Sequence, residues 1–180
     1  MSGLTFRQAL IGLALMLMSS VALSQRQAPE PVLKAAILVN MLLFIDWPSQ
    51  AAQPKDRRVL CYLDSSPVAA ALSQLDGRLV SNRPLSVQQV SIADAARLSS
   101  CHAVYLAPGN AASMSGIVPN LRAAGVLIVG DSPDYLQRGV MLNLDVESGR
   151  VVFDIDLKSA RQAGLGVSSK MLRLARKVVE

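Results

Sequence analysis

The chain has 180 residues and a formal charge of +5, from 18 lysines and arginines against 13 aspartates and glutamates. The excess is mild, contains no basic run and comes with only 4% aromatic residues, so it does not describe a nucleic-acid surface. One histidine and two cysteines make a poor zinc set and leave no catalytic triad to assemble, so no metal, cofactor or catalytic residue is expected.

Residues 1–24 read as a secretory signal peptide. Arg7 supplies a short positive region, residues 9–18 are apolar apart from a glycine, and Ala22-Leu23-Ser24 offers the small residues a signal peptidase reads. Cleavage is expected before Gln25. The alternative is a membrane anchor, but the apolar run is shorter than the ~20 residues a spanning helix needs. No cysteine follows the run, which argues against a lipoprotein. Without Arg7 the 18 basic residues become 17 against 13 acidic ones, a net +4 on a remainder that is one domain by length. No transmembrane segment is expected after cleavage.

Residues 25–31 are polar with two prolines and read as a flexible leader; the folded domain is expected over 32–180. Residues 32–47 are apolar on nearly every side of a helical wheel, since Lys34, Asn40 and Asp46 spread around it. Such a helix is buried, or part of it packs on a partner through Phe44 and Trp47. Strands are expected at 58–63, 85–90, 103–107 and 126–129. Helices are expected at 67–75, 92–98 and 113–124, with Ser66 and Ser91 as caps, Pro67 at a first helical position and Gly125 as a terminator. Short apolar strands alternating with helices predict a mainly parallel sheet covered by helices.

Runs at 140–146 and 151–157 flank the turn Glu147-Ser148-Gly149-Arg150 and predict an antiparallel hairpin at one edge. A helix at 160–163 ends at Gly164. Residues 170–178 predict a last amphipathic helix capped by Ser168 or Ser169. Its Met171-Leu174-Val178 side faces the core, and Lys170, Arg173 and Lys177 face outward. Fold class is therefore α/β, in a single domain.

An even cysteine count in an exported chain reads as one disulfide, Cys61 to Cys101, against the alternative of two buried thiols. His102 follows Cys101 at the head of an apolar strand, where adjacent side chains point to opposite faces, so the two do not form a catalytic pair. Asp154 and Asp156 share one face of their strand, with Phe153 and Ile155 turned to the core. They read as solvated charges or, with Lys170 and Arg173, as a patch for docking a partner, ahead of an acid–base pair. Gly130-Asp131-Ser132-Pro133 follows a strand, where open α/β sheets place ligands, but without a phosphate-loop pattern it reads as a capped turn.

Two stretches carry a family resemblance. One is G-x-M-x-N, turn, G-R-V-x-F-D-I-D-L, A-R-x-A-G-L, S-S-K-M-L-R-L-A over 139–175, and the other is K-A-A-x-L-x-N-M-x-x-F-x-x-W-P over 34–48. Both resemble the YfiR family of secreted periplasmic proteins. That resemblance implies a non-enzymatic regulator that binds the periplasmic sensor region of an inner-membrane diguanylate cyclase and holds it inactive, controlling cyclic-di-GMP and biofilm. It allows a sensor kinase as partner instead, and a homodimer. It agrees with cysteines at 61 and 101 and lacks the second pair some relatives carry. Val140 and Asp156 depart from the glycine and amide common at those places, and Asp156 would alter partner choice. The competing expectation is an envelope small-molecule sensor with its crevice past Val129.

Overall fold

The computed structural model describes residues 28–49 and 53–180. The expected signal peptide and its cleavage point lie outside the described residues, as does most of the leader. The first helix, α1, is Glu30–Met41, so it takes in the last two leader residues. Pro31 fits a first turn because its missing N–H has no helical partner there, and Glu30 sits where the helix dipole favours an acid. The expected extension to Trp47 is corrected. The chain passes through a 3-10 turn, Leu42–Phe44, into the short strand β1, Ile45–Asp46. The cause is distant: β1 pairs antiparallel with β9, Gly166–Val167. Pro48 adds a local one, since the residue before a proline avoids helical angles.

Next come β2 (Arg58–Tyr62), α2 (Pro67–Ser73), β3 (Leu79–Val80) and β4 (Arg83–Gln89). Ser66 caps α2 by accepting the Ala69 N–H at 3.1 Å. β3 was not expected. It folds back on β4 through Ser81 and Asn82, both at positive φ, the geometry of a tight two-residue hairpin turn. A 3-10 stretch, Ile92–Ser100, leads to β5 (Ala103–Leu106); α3 is Met114–Ala123 and β6 is Leu127–Gly130. The expected closing hairpin is present as β7 (Leu142–Glu147) and β8 (Arg150–Asp156). After it come α4 (Leu157–Gln162), β9, α5 (Ser169–Leu172) and β10 (Lys177–Val179).

The expected helix over 170–178 is thus a four-residue helix followed by a strand. β10 runs parallel to β8, with Val178 beside Ile155. A helix of one turn recovers little for its costly nucleus, whereas the open edge of β8 offers a ladder of unpaired backbone groups.

Eight strands form one sheet in the order β10-β8-β7-β6-β5-β2-β4-β3. The run β4-β2-β5-β6-β7 is parallel throughout. This is a mixed α/β domain with a mainly parallel sheet, as expected. Helices α1 and α2 pack together on one face, and Ile92–Ser100 packs beside α3 on the other, as right-handed crossovers require. Strand order reverses between β2 and β5, and the disulfide joins the same two neighbours. Cys61 in β2 and Cys101 just ahead of β5 are bonded, with Cα atoms 6.1 Å apart.

Candidate functional site

Open α/β sheets hold ligands past the carboxyl ends of the strands where their order reverses. Here the protein fills that place itself. Lys34 of α1 reaches over the sheet and meets Asp131, just past β6, with Nζ 2.6 Å from Oδ1. Its other partner is Glu30, one helical turn back, at 2.8 Å. The buried Tyr105 hydroxyl donates to the second Asp131 oxygen at 3.0 Å. Burial would lower the Lys34 pKa, but Asp131 and Glu30 outweigh it and hold the ammonium above its ordinary value. Burial, followed by the Asp131 charge, pushes the Tyr105 phenol far up. Nearby, Tyr135 donates to the Ala107 carbonyl at 2.8 Å and the buried Asn110 amide donates to Asp64. A Cβ on Gly130 would come within 2.7 Å of the Tyr135 ring. The crevice past Val129 is therefore lined by a polar network whose members bond to one another.

The expected docking charges fall into two groups. Asp154 is corrected: it is 7% exposed, not turned to solvent. Arg176 clamps it through Nε at 2.9 Å and Nη2 at 2.6 Å, while Nη1 reaches Asp145 at 2.9 Å. The cause is β10, whose pairing beside β8 lays Arg176 over Asp154. The Asp154 and Asp145 hydrogen bonds raise the Arg176 pKa. Burial pushes the Asp145 carboxyl up, but the Val146 N–H and Arg176 hold it below the usual carboxylate range. Asp156 is half-buried and caps α4, accepting the Ser159 N–H at 2.8 Å and its hydroxyl at 2.7 Å. Neither aspartate is a free docking charge, and the two do not work as one acid–base pair.

Lys170 and Arg173 are exposed, as expected. The stripe assigned to the core is split: Met171 is buried, but Leu174 is 71% exposed. Leu174 joins Phe44, Ile37, Met41, Val151 and Phe153 along an apolar groove of about 250 Å³ between α1 and β8. Lys170 adjoins Met171 in the chain and Arg173 adjoins Leu174, and neither cation forms an ion pair among the described residues. Phe44 belongs to this groove. Trp47 does not: its indole N–H donates to the His102 carbonyl at 2.9 Å, at the amino ends of the strands. His102 is buried there, and burial followed by the Arg58 and Arg83 charges holds its ring neutral. Sequence reasoning missed two separate pairings, Arg176 with Asp154 and Asp131 with Lys34 and Tyr105, because the partners are distant in the chain and no local spacing announces them.

Among the described residues no helix is long and apolar enough to cross a membrane. Residues 31–176 match the family described as YfiR/HmsC-like. No curated protein matches. Two solved structures share the fold. One is a conserved domain protein from Vibrio cholerae O1 biovar El Tor, at 14% identity and TM-score 0.54; the other is the ABC domain in complex with L-Trp from Streptococcus pneumonia, at 11% identity and TM-score 0.55. Each alignment covers 83% of this chain and 60% of the other.

Proposed function

The chain belongs to the YfiR/HmsC-like family, periplasmic regulators of cyclic-di-GMP signalling that are not catalytic, and from that premise we propose that this protein is an exported repressor. It binds the periplasmic sensor region of an inner-membrane diguanylate cyclase, or of a related sensor kinase, and holds the partner inactive. Export proceeds through residues 1–24, removed before Gln25. The observation that carries the reading is the family match over 31–176, nearly the whole described domain.

For the contact surface we propose the groove between α1 and β8. Leu174 and Phe44 provide the apolar anchor, and Lys170 and Arg173 set orientation and on-rate at the rim. Asp154 takes part only indirectly, by fixing Arg176. The groove has the composition expected of a patch that excludes water at its centre and stays charged at its edge. A second copy of the chain is the competing occupant.

The test combines a cell measurement with a binding one. Deleting the gene should raise cyclic-di-GMP, and intact mass from the periplasmic fraction should correspond to a chain starting at Gln25. Biolayer interferometry with the purified sensor region should show Leu174→Asp and Arg173→Glu weakened about tenfold or more, with melting temperatures close to wild type. Unchanged cyclic-di-GMP on deletion removes the repressor reading. Wild-type affinity in both variants leaves the repressor in place and removes the groove.

A further inference from the structure

At the other end of the sheet the chain gathers positive charge without pairing it. Arg58 opens β2, Arg83 opens β4, and His102 precedes β5. With Lys55 and Trp47 they line an open cavity of about 290 Å³. The one carboxylate among the lining residues is Asp46, which is exposed. Among the described residues, none of Lys55, Arg58 and Arg83 forms an ion pair. The Arg58 guanidinium lies 4.8 Å over the Trp47 ring, and its Nε is buried without a hydrogen-bond partner.

The proton count at His102 is the decisive observation. The Val59 backbone N–H donates to His102 Nδ1 at 3.0 Å. A backbone N–H can only donate, so Nδ1 is bare and the ring proton sits on Nε2. Arg58 Nη1 lies 3.1 Å from that same Nε2. A guanidinium also only donates. Two donors therefore face each other, one of them on a residue only 2% exposed, and neither can accept from the other. Burial first, then Arg58 and Arg83, press the His102 pKa down to about 4, so the ring is neutral and relieves none of the excess charge. Burial, followed by Arg83, likewise disfavours the charged form of Arg58.

We propose that this cavity binds a phosphate-type dianion, orthophosphate or a phosphomonoester, whose oxygens accept from Arg58, His102 Nε2, Arg83 and Lys55. Three cations less one exposed carboxylate leave an excess of two positive charges, which a dianion balances and a lone carboxylate does not. The guanidinium fork suits phosphate oxygens, and the Trp47 face holds that fork in place.

The test uses the mature protein and follows the His102 ring and Trp47 indole resonances by NMR at constant ionic strength. The probes are orthophosphate, glycerol 3-phosphate, and vesicles containing phosphatidic acid beside neutral vesicles. Saturable shifts are expected, with the His102 pKa rising as the anion offsets Arg58 and Arg83. Arg58→Gln and Arg83→Gln should each weaken binding about tenfold. Arg83 is half-buried at a strand start, so its variant keeps the test open if Arg58→Gln is poorly folded. Binding confined to the soluble probes assigns a free phosphate, and vesicle binding lost in Arg83→Gln assigns a lipid headgroup. Absence of saturable shifts with every probe overturns the proposal, as does acetate binding as tightly as phosphate.

Discussion

The two ends of the parallel sheet handle charge in opposite ways. At the carboxyl ends, Lys34, Glu30, Asp131 and Tyr105 satisfy one another across a place where related topologies hold ligands. At the amino ends, Arg58, Arg83 and Lys55 line one cavity with His102, and among the described residues none of the three forms an ion pair. The difference teaches that topology nominates a site but side chains decide whether it is vacant. A lysine from the first helix pairs with the aspartate of the expected crevice, and the unbalanced end becomes the one with electrostatic demand left over.

The largest lever on the contrast is the disulfide. Cys61 and Cys101 hold β2 against the segment that delivers His102, closing a loop of 40 residues. On the chain-entropy account Cys61→Ala with Cys101→Ala should cost about 4 kcal/mol. Urea denaturation measures the loss. Hydrogen exchange at Val59 should show the amino end loosening before the Lys34 end; uniform loosening would mean the bond supports both alike.

Next in size is Lys34→Met. It leaves Asp131, whose side chain is 10% exposed, buried with no cation. Removing one partner of a buried pair costs about 3 kcal/mol or more, because the remaining charge stays uncompensated. Adding Asp131→Asn should recover much of that loss. If Lys34→Met costs little by itself, the carboxyl end is not the satisfied network described above.

Acid should find the opposite end. The His102 pKa is depressed in the folded protein, to about 4 from an ordinary 6.5. The unfolded chain therefore binds the proton first, so stability is full above pH ~6.5 and falls as pH drops toward 4. At ~1.36 kcal/mol per pKa unit the loss reaches about 2–3 kcal/mol by about pH 4.5. Urea midpoints at neutral pH and about pH 4.5 should converge in His102→Asn relative to wild type. An equal slope in the variant would place the acid sensitivity elsewhere.

What the sequence made legible was local. Ser66 and Ser168 cap helices as expected, the turn at 147–150 makes the hairpin, and short apolar runs became parallel strands. What it hid was set by distant partners. Residues 42–47 are apolar enough for a helix, but β9, some 120 residues on, draws Ile45 and Asp46 into a strand. The periodicity over 170–178 is genuinely helical, yet the edge of β8 captures Lys177–Val179. That one change brings Arg176 to Asp154 and turns an expected surface charge into a buried carboxylate held by an exposed arginine. Lys34 and Asp131 meet across 97 residues, and neither announces the other. The cationic cavity was equally silent, because its residues come from the starts of three strands and share no motif.

The smallest stability effect is the most informative about the open end. Arg58→Met keeps the apolar stem that packs over Trp47. It gives up a cation–π contact of about 0.5–1 kcal/mol. In return it removes a desolvated charge held against Arg83 and the donor that opposes His102 Nε2. Those contributions offset, so the urea midpoint should move by no more than about 1 kcal/mol, against the ~3 kcal/mol expected of Lys34→Met. The His102 pKa should rise with Arg58 gone, making the acid loss of stability shallower. Phosphate adds the sharper reading: a ligand bound only by the folded state stabilises it in proportion to its occupancy. Wild-type protein should gain stability as phosphate is raised at fixed ionic strength, and Arg58→Met should not. A loss of several kcal/mol in Arg58→Met without phosphate would mean that this arginine already has an acceptor, and the contrast between the two ends would collapse.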